Sequence, residues 1–529
     1  MKKIIITLSL SVFAIGINNI LYGQVKPEIL NWYNGKAGMQ TEKGYKKLKD
    51  KKTSTVIVAV IDSGIDIEHE DLKGKIWVNP KEIAGNGIDD DKNGYIDDVN
   101  GWNFLGNGKG ENVDAATLEK TRILRDLSKK FTGVNPETLS GKDKEDYKLY
   151  EKVKKEVEGE RNDYKEYLTQ VESYTIMVKE IPVAVANELG KQDYTLDDLK
   201  KWSPKTPEMM QMKAIATEIK SGRLTLEILE GQRKYLSDML DYNLNTEFDE
   251  RKVIGDNPTD FSDKNYGNNN VEGPDALHGT HVGGIIGAIR GNGLGGDGVA
   301  TDVKLMVLRA VPNGDENDKD IALAIRYAVD NGAKVINMSF GKGYSPNQQE
   351  VFEAFKYADS KGVLLVHAAG NDNANIDTDP NFPTSLYSFQ KEKLDLFLTI
   401  GSCTKDAKEN LASPFSNYGK TKVDIFAPGS EIYNSVPQSE YQELQGTSMA
   451  APMVAGVAAL LASYFPTLTM HEIKDIMLKS SKSYKGTKQH KPGSEELVDF
   501  ATLSVTGGVI NVYNAVKMCL ELEKSKVVK

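Results

Sequence analysis

Residues 53–66 read TSTVIVAVIDSGID, a run of β-branched and small apolar side chains that ends on an aspartate and a glycine turn. Nothing from Val56 to Ile61 is polar, so the in-and-out alternation of a half-solvated strand is missing. The run reads as a strand buried on both faces, as in a parallel sheet, with Asp62 at its carboxyl end. The same texture recurs in VKLMVLRAV, AKVINMSF, GVLLVHAAGN, LFLTIGSC and VDIFAPG, separated by helical patterns such as DKDIALAIRYAVDNG and NQQEVFEAFKYADSKG. Such alternation implies right-handed βαβ crossovers. The expected fold is α/β: a doubly wound, mostly parallel sheet flanked by helices, with ligand chemistry outside the carboxyl ends of its strands.

Residues 105–255 break this texture. KDKEDYKLYEKVKKEVEGERNDYKEYLTQVESY is dense in Lys and Glu, and its apolar positions Leu149, Val153, Val157, Tyr164, Leu168 and Val171 fall three, four or seven apart. That spacing predicts a long amphipathic helix, for which LTLEILEGQRKYLSDMLDYNLN supplies a partner. The segment is expected to be a charged helical insertion, folded as a hairpin or small bundle. It could act as a lid, an inhibitory cover or a docking arm, or be a solvated decoration without a specific role. Residues 24–104 and 256–529 then make up the α/β unit.

The chain has 529 residues, 39% hydrophobic and 27% charged, with a formal net charge of -10. An acidic balance without a basic stripe argues against nucleic acid as a partner. The opening MKKIIITLSLSVFAIG sets lysines before an apolar run too short to span a bilayer, and reads as a signal peptide cleaved after about Gly23. Export to the periplasm or out of the cell follows, and no later apolar run suggests a stable membrane anchor. The cysteines are Cys403 and Cys519 alone, so no disulfide framework holds the fold and a metal is the more natural staple.

DALHGTHVGGIIGAI places His278 and His281 three apart at the start of a helix. The pair reads as two metal ligands, or as a general base with a neighbour; the glutamate of a zinc-type H-E-x-x-H motif is missing. In QGTSMAAPMVAG, residues 445–456, Ser448 follows a glycine turn that opens a small-residue helix, as a cap or as a nucleophile.

Taken in order, VIVAVIDSGID, HGTHVGGI, VHAAGND and GTSMAAPMVAG resemble the signature blocks of the subtilisin-like serine proteases, the subtilases. The resemblance covers about residues 50–104 and 256–520 but not the helical insertion. It implies Ser448 as nucleophile, His278 as general base and later acid, and Asp62 as the carboxylate that orients the imidazole, with His281 the family's second, non-catalytic histidine. Asn371 would donate its side-chain amide to the oxyanion. Ser339, Phe340 and Gly341 match the segment that pairs with a peptide substrate as an added strand and helps wall the primary specificity pocket. The implied function is an exported serine endopeptidase that cleaves protein or peptide substrates through an acyl-enzyme. A competing reading is a non-enzymatic exported scaffold whose helical insertion binds a protein partner. A serine esterase is disfavoured, because GTSMA lacks the second glycine of G-x-S-x-G and the residue order differs. Subtilases commonly carry an N-terminal propeptide, and about thirty residues between Gly23 and the first strand are too few for such a domain. Either such maturation is absent, or the helical insertion has taken over inhibition or chaperoning.

DDDKNGYIDDVN, residues 89–100, carries the oxygen spacing of the first nine positions of a calcium loop: Asp89, Asp91, Asn93, the Tyr95 carbonyl and Asp97. The bidentate glutamate expected at position twelve is replaced by Asn100. A structural Ca2+ is the expected cofactor, and Asp71 with Asn292 hints at a second family calcium position.

Overall fold

The deciding run forms β1 (Val56–Asp62), and its side chains divide by parity: Val56, Val58 and Val60 enter one core, Ala59 and Ile61 another. Period-2 geometry makes both faces apolar, as the unbroken run requires. The structure, a computed structural model, describes residues 30–527. The expected leader, residues 1–23, lies outside the described residues.

The further strands are β2 (Gly101–Asn103), β3 (Val303–Arg309), β4 (Val335–Met338), β5 (Leu364–Ala368), β6 (Phe397–Cys403), β7 (Ile425–Pro428), β8 (Ile432–Val436), β9 (Glu440–Leu444), β10 (Lys482–Ser483), β11 (Lys488–His490), β12 (Leu497–Asp499) and β13 (Gly508–Val509). Nine of them form one sheet in the order β10-β13-β7-β6-β5-β4-β1-β3-β2, parallel except where β10 meets β13. The chain moves from β1 to β3 in one direction and from β4 to β7 in the other. β1 is therefore the switch point, where doubly wound sheets open a ligand crevice at the strand ends, and Asp62 stands there.

The helices are α1 (Thr41–Leu48), α2 (Glu119–Phe131), α3 (Gly141–Leu189), α4 (Leu196–Lys201), α5 (Pro207–Lys220), α6 (Leu226–Asp238), α7 (Arg251–Ile254), α8 (Leu277–Gly287), α9 (Asp318–Asp330), α10 (Gln348–Ser360), α11 (Thr447–Tyr464), α12 (Met470–Lys479) and α13 (Val512–Val527). One face of the sheet is covered by α8, α11, α12 and α13, joined by Leu48 of α1, and the other by α9 and α10. Among the described residues α11 is the one helix long and apolar enough to cross a membrane, but 83% of it is buried inside the protein, as a core helix must be.

The insertion contains a compact unit of its own, Glu151–Asn245, narrower than residues 105–255. Within it, Tyr164, Leu168 and Val171 of α3 pack with Leu229 and Leu236 of α6. A second small core joins Val185 and Ala186 to Tyr194, Leu199 and Ala216, using α4 and α5. These two helices have no counterpart in the sequence reading, since the apolar residues of PEMMQMKAIATEIK are too scattered to mark one face.

The flanks of the insertion belong to the sheet-bearing unit. Buried charge holds them there. Arg122 of α2 chelates Glu119 and donates to the carbonyls of Thr117, Asp315 and Glu316. Arg251 pairs with Asp256 and Asp320, and Lys319 with Asp256. A buried cation without its acids would cost several kcal/mol, about 3–5, so each pair fixes where both segments lie.

One close approach is testable. A Cβ on Gly284 would sit 2.0 Å from Ser435 Oγ and 2.3 Å from Asn434 Oδ1, so only glycine lets α8 lie this near β8. Gly284→Ala should cost about 1–3 kcal/mol by overpacking, read as a lower denaturant midpoint; an unchanged midpoint would contradict this packing.

Candidate active site

Asp62 ends β1 at 2% side-chain exposure, and its Oδ1 accepts from the Ser63 N–H at 2.8 Å and from His278 Nδ1 at 2.6 Å. His278 lies in the first turn of α8, where Gly279 N–H donates to Ser63 Oγ at 3.3 Å and ties the helix start to the strand end. Burial alone would lower the imidazole pKa, but the Asp62 charge and hydrogen bond, aided by Asp275, outweigh it and raise the value. The His278 side chain keeps 36% exposure.

His281 has a different fate. Burial lowers its pKa to about 3, its Nε2 faces the carbonyls of Ile432 and Gln442 at 3.1 Å each, and its Nδ1 is buried without a partner. It is a neutral packing group. Among the described residues, no histidine belongs to the one cluster with metal-ligating spacing.

Ser448 is the second residue of α11. Its hydroxyl donates to the Ser339 carbonyl at 3.1 Å, while Ser339 Oγ donates to the Ser448 carbonyl at 2.9 Å. Sequence explains the second bond. Pro452 stands four residues after Ser448 and has no N–H, so the helix cannot satisfy that carbonyl and Ser339 does so instead.

Asn371 follows β5, and its Oδ1 accepts from Thr447 N–H at 2.9 Å and Thr447 Oγ1 at 3.0 Å. Two donors on the oxygen leave the amide nitrogen turned away from Thr447. A Cβ built on Gly446 would lie 3.4 Å from Asn371 Nδ2 and 3.6 Å from Ser448 N. The missing Cβ thus keeps open a space that both N–H donors border. Gly446 has φ 155°, which also suits glycine. Thr447, whose hydroxyl also accepts from Gly370 N–H at 3.0 Å, is a residue the sequence reading passed over.

Ser339, Phe340 and Gly341 follow β4. Phe340 is 8% exposed and belongs to a core cluster, and its carbonyl accepts from His367 Nε2 at 2.8 Å. Burial lowers the His367 pKa to about 4, so the ring is a neutral prop beneath the segment. No hydrogen bond among the described residues engages the Gly341 main chain.

The Asp-rich loop departs from the expected ligand pattern. Asp97, in a left-handed conformation, directs its carboxylate at the N–H groups of Gly85, Asn86 and Gly87. Asn93 is engaged within the loop, its Oδ1 by Tyr95 N–H and its Nδ2 by Asp98, and the Tyr95 ring is buried among aromatics. The group that converges is Glu82, Asp89 and Asp91, with ligand oxygens within 4.8 Å of one another. Glu82 Oε2 is buried without a hydrogen-bond partner, and burial foremost, with Asp91 and Asp90 nearby, raises its pKa. Three hard oxygens, one of them orphaned, fit a divalent cation. At the second position, Asp71 is fully buried, accepts from Asn292 Nδ2 at 2.7 Å and keeps Oδ2 without a partner.

Asp62 with its bonded His278, and Ser448 tied to Ser339 just past β4, stand at the carboxyl edge of a doubly wound sheet. The profile of the subtilase family matches residues 53–498, and the chain belongs to that family. It is 41% identical over 215 residues to thermitase of Thermoactinomyces vulgaris, covering 40% of this chain and 68% of thermitase. It is 39% identical over 205 residues to a thermophilic serine proteinase of Bacillus sp. strain AK1, covering 39% and 46%. To the cell wall-associated protease of Bacillus subtilis it is 36% identical over 242 residues, covering 46% and 25%. The match thus spans less than half of the last two relatives.

Ser339→Ala should leave the Ser448 carbonyl without its donor and cost about 1–3 kcal/mol, measured by denaturant unfolding. A variant as stable as the parent would show that the proline-freed carbonyl does not depend on Ser339.

Proposed function

We propose that the protein is an exported serine endopeptidase that hydrolyses peptide bonds of protein or peptide substrates through an acyl-enzyme. Family membership supports the class of activity. The observation that carries the mechanism is the space at Gly446 bordered by Asn371 Nδ2 and the main-chain N of Ser448. There a carbonyl oxygen gains two donors as it becomes an oxyanion.

In this reading a substrate strand pairs with the open Gly341 main chain and takes the Ser339 carbonyl as an acceptor. That displaces the Ser448 hydroxyl, which turns to His278. Ser448 Oγ attacks the scissile carbonyl carbon, and its proton passes to His278 Nε2. Asp62 holds the Nδ1–H and stabilises the imidazolium. Collapse of the tetrahedral adduct breaks the C–N bond, and His278 returns the proton to the leaving amine. Water, deprotonated by His278, then attacks the acyl carbon; the bond to Ser448 Oγ breaks, and His278 returns the proton to that oxygen.

Ca2+ is the proposed structural cofactor, bound at the Asp-rich loop by Asp89 and Asp91 with Glu82 as a further ligand. When bound it neutralises carboxylates that otherwise repel. The loop residues orient those oxygens: Asn93 N–H donates to Asp89 and Asp91, and Gly94 N–H to Asp89. For the helical insertion, residues 105–255, the proposed roles are lid, inhibitory cover or docking arm, against a solvated decoration without a specific role.

Casein hydrolysis should vanish in Ser448→Ala and fall about 10²- to 10³-fold in Asn371→Ala, the range known from subtilisin itself. Because the His278 pKa is raised and the neutral ring is the active base, the acid limb of kcat/KM should lie above about 6.5. Full activity in Ser448→Ala would refute the reading. Calcium should raise the thermal midpoint of the parent over a chelator control and leave Asp89→Asn unchanged; equal responses would remove calcium from this loop.

A further inference from the structure

Lys342 follows Gly341 directly, yet its side chain is 2% exposed. Its Nζ lies 2.7 Å from Glu119 Oε2 and 2.8 Å from Asp318 Oδ1, and donates to the Glu316 carbonyl at 2.8 Å. All three donor positions of the ammonium are filled. Asp318, at the start of α9, is itself held by Ser345 Oγ and Asn347 N–H. Glu119 comes from α2, in the flank of the insertion, and is held by Arg122 at 2.7 Å. Burial opposes the Glu119 charge, but Arg122 and Lys342 outweigh it and bring the pKa down to about 2. Glu119 is therefore ionised at neutral pH.

The main chain explains what this node holds. Ser339 is tied to Ser448, Phe340 to His367, and Lys342 N–H and C=O exchange two 2.9 Å hydrogen bonds with Phe382. Gly341 lies between these anchors. From Ser339, beside the nucleophile, to Lys342 the segment runs three residues outward, and its far anchor is the buried ammonium. We propose that Lys342, fixed by Glu119 and Asp318, is a positioning residue that sets the outer end of the substrate-pairing segment and so couples helix α2 to recognition of extended peptides. This rests on the protease reading. Glu119→Gln or Lys342→Met removes one member of a buried set, and the strand end beyond Gly341 loses its alignment. A substrate that reaches several residues from the scissile bond senses that end, whereas a one-residue ester does not.

The test compares kcat/KM for a one-residue acylamino acid nitrophenyl ester and a tetrapeptide nitroanilide in the full chain. Parent, Glu119→Gln, Lys342→Met and Lys342→Arg are compared, with thermal midpoints recorded. The expected result is a loss of about tenfold on the tetrapeptide, carried by KM, against less than about twofold on the ester, with partial recovery in Lys342→Arg. Should Lys342→Met fail to fold, the isosteric Glu119→Gln carries the same comparison. Equal loss on both substrates, or none on either, overturns the proposal. A parent that hydrolyses neither substrate defeats the protease reading first, and this inference with it.

Discussion

The hydrogen bond from His278 Nδ1 to Asp62 Oδ1 joins residues 216 positions apart, and the helical insertion lies inside that interval. Everything at the site depends on closing this gap. Polymer statistics make the closure affordable, since each doubling of a flexible loop adds only about 0.6 kcal/mol. What the chain must supply is fixed ends. It does so with buried cations: Arg309 Nε donates to the Ser63 carbonyl, and its other nitrogens reach Asn103 and the Val113 carbonyl, so the Asp62 turn is bound to the entry of the insertion. Arg251 and Lys319 do the same at the exit.

Three histidines show how environment assigns chemistry. His278 has a carboxylate on one nitrogen and a partly exposed side chain, and its pKa rises. His281 and His367 are buried against backbone carbonyls alone, and theirs fall to about 3 and about 4. A dipole offsets desolvation less than a full charge does. Of the three, only the one bonded to a carboxylate is held toward its charged form, and it stands at the end of β1.

Much of this was legible in the sequence, for a physical reason. The runs around β1, β3 and β5 are apolar without alternation, which only a doubly covered parallel sheet accommodates, and their order placed Asp62, Asn371 and Ser448 on one edge. The limits of the insertion were less legible. Residues 105–150 read as helical and charged, but whether a Glu119 or an Arg122 is solvated or buried is decided by partners such as Lys342 and Glu250, far along the chain. Glu82 escaped notice for the same reason: it precedes the loop whose spacing suggested calcium and joins Asp89 and Asp91 only after the chain turns back. Thr447 went unremarked in the sequence, and its grip on Asn371 appears only when β5 and α11 meet.

The central claim is that folding turns Ser448 into a nucleophile. Treating the folded protein with a fluorophosphonate and mapping the adduct by peptide mass spectrometry tests it most directly. The account predicts a single adduct on the peptide bearing Ser448, absent after unfolding and sharply reduced in Asp62→Asn. A folded protein that gains no adduct, or gains it on another serine, would contradict it.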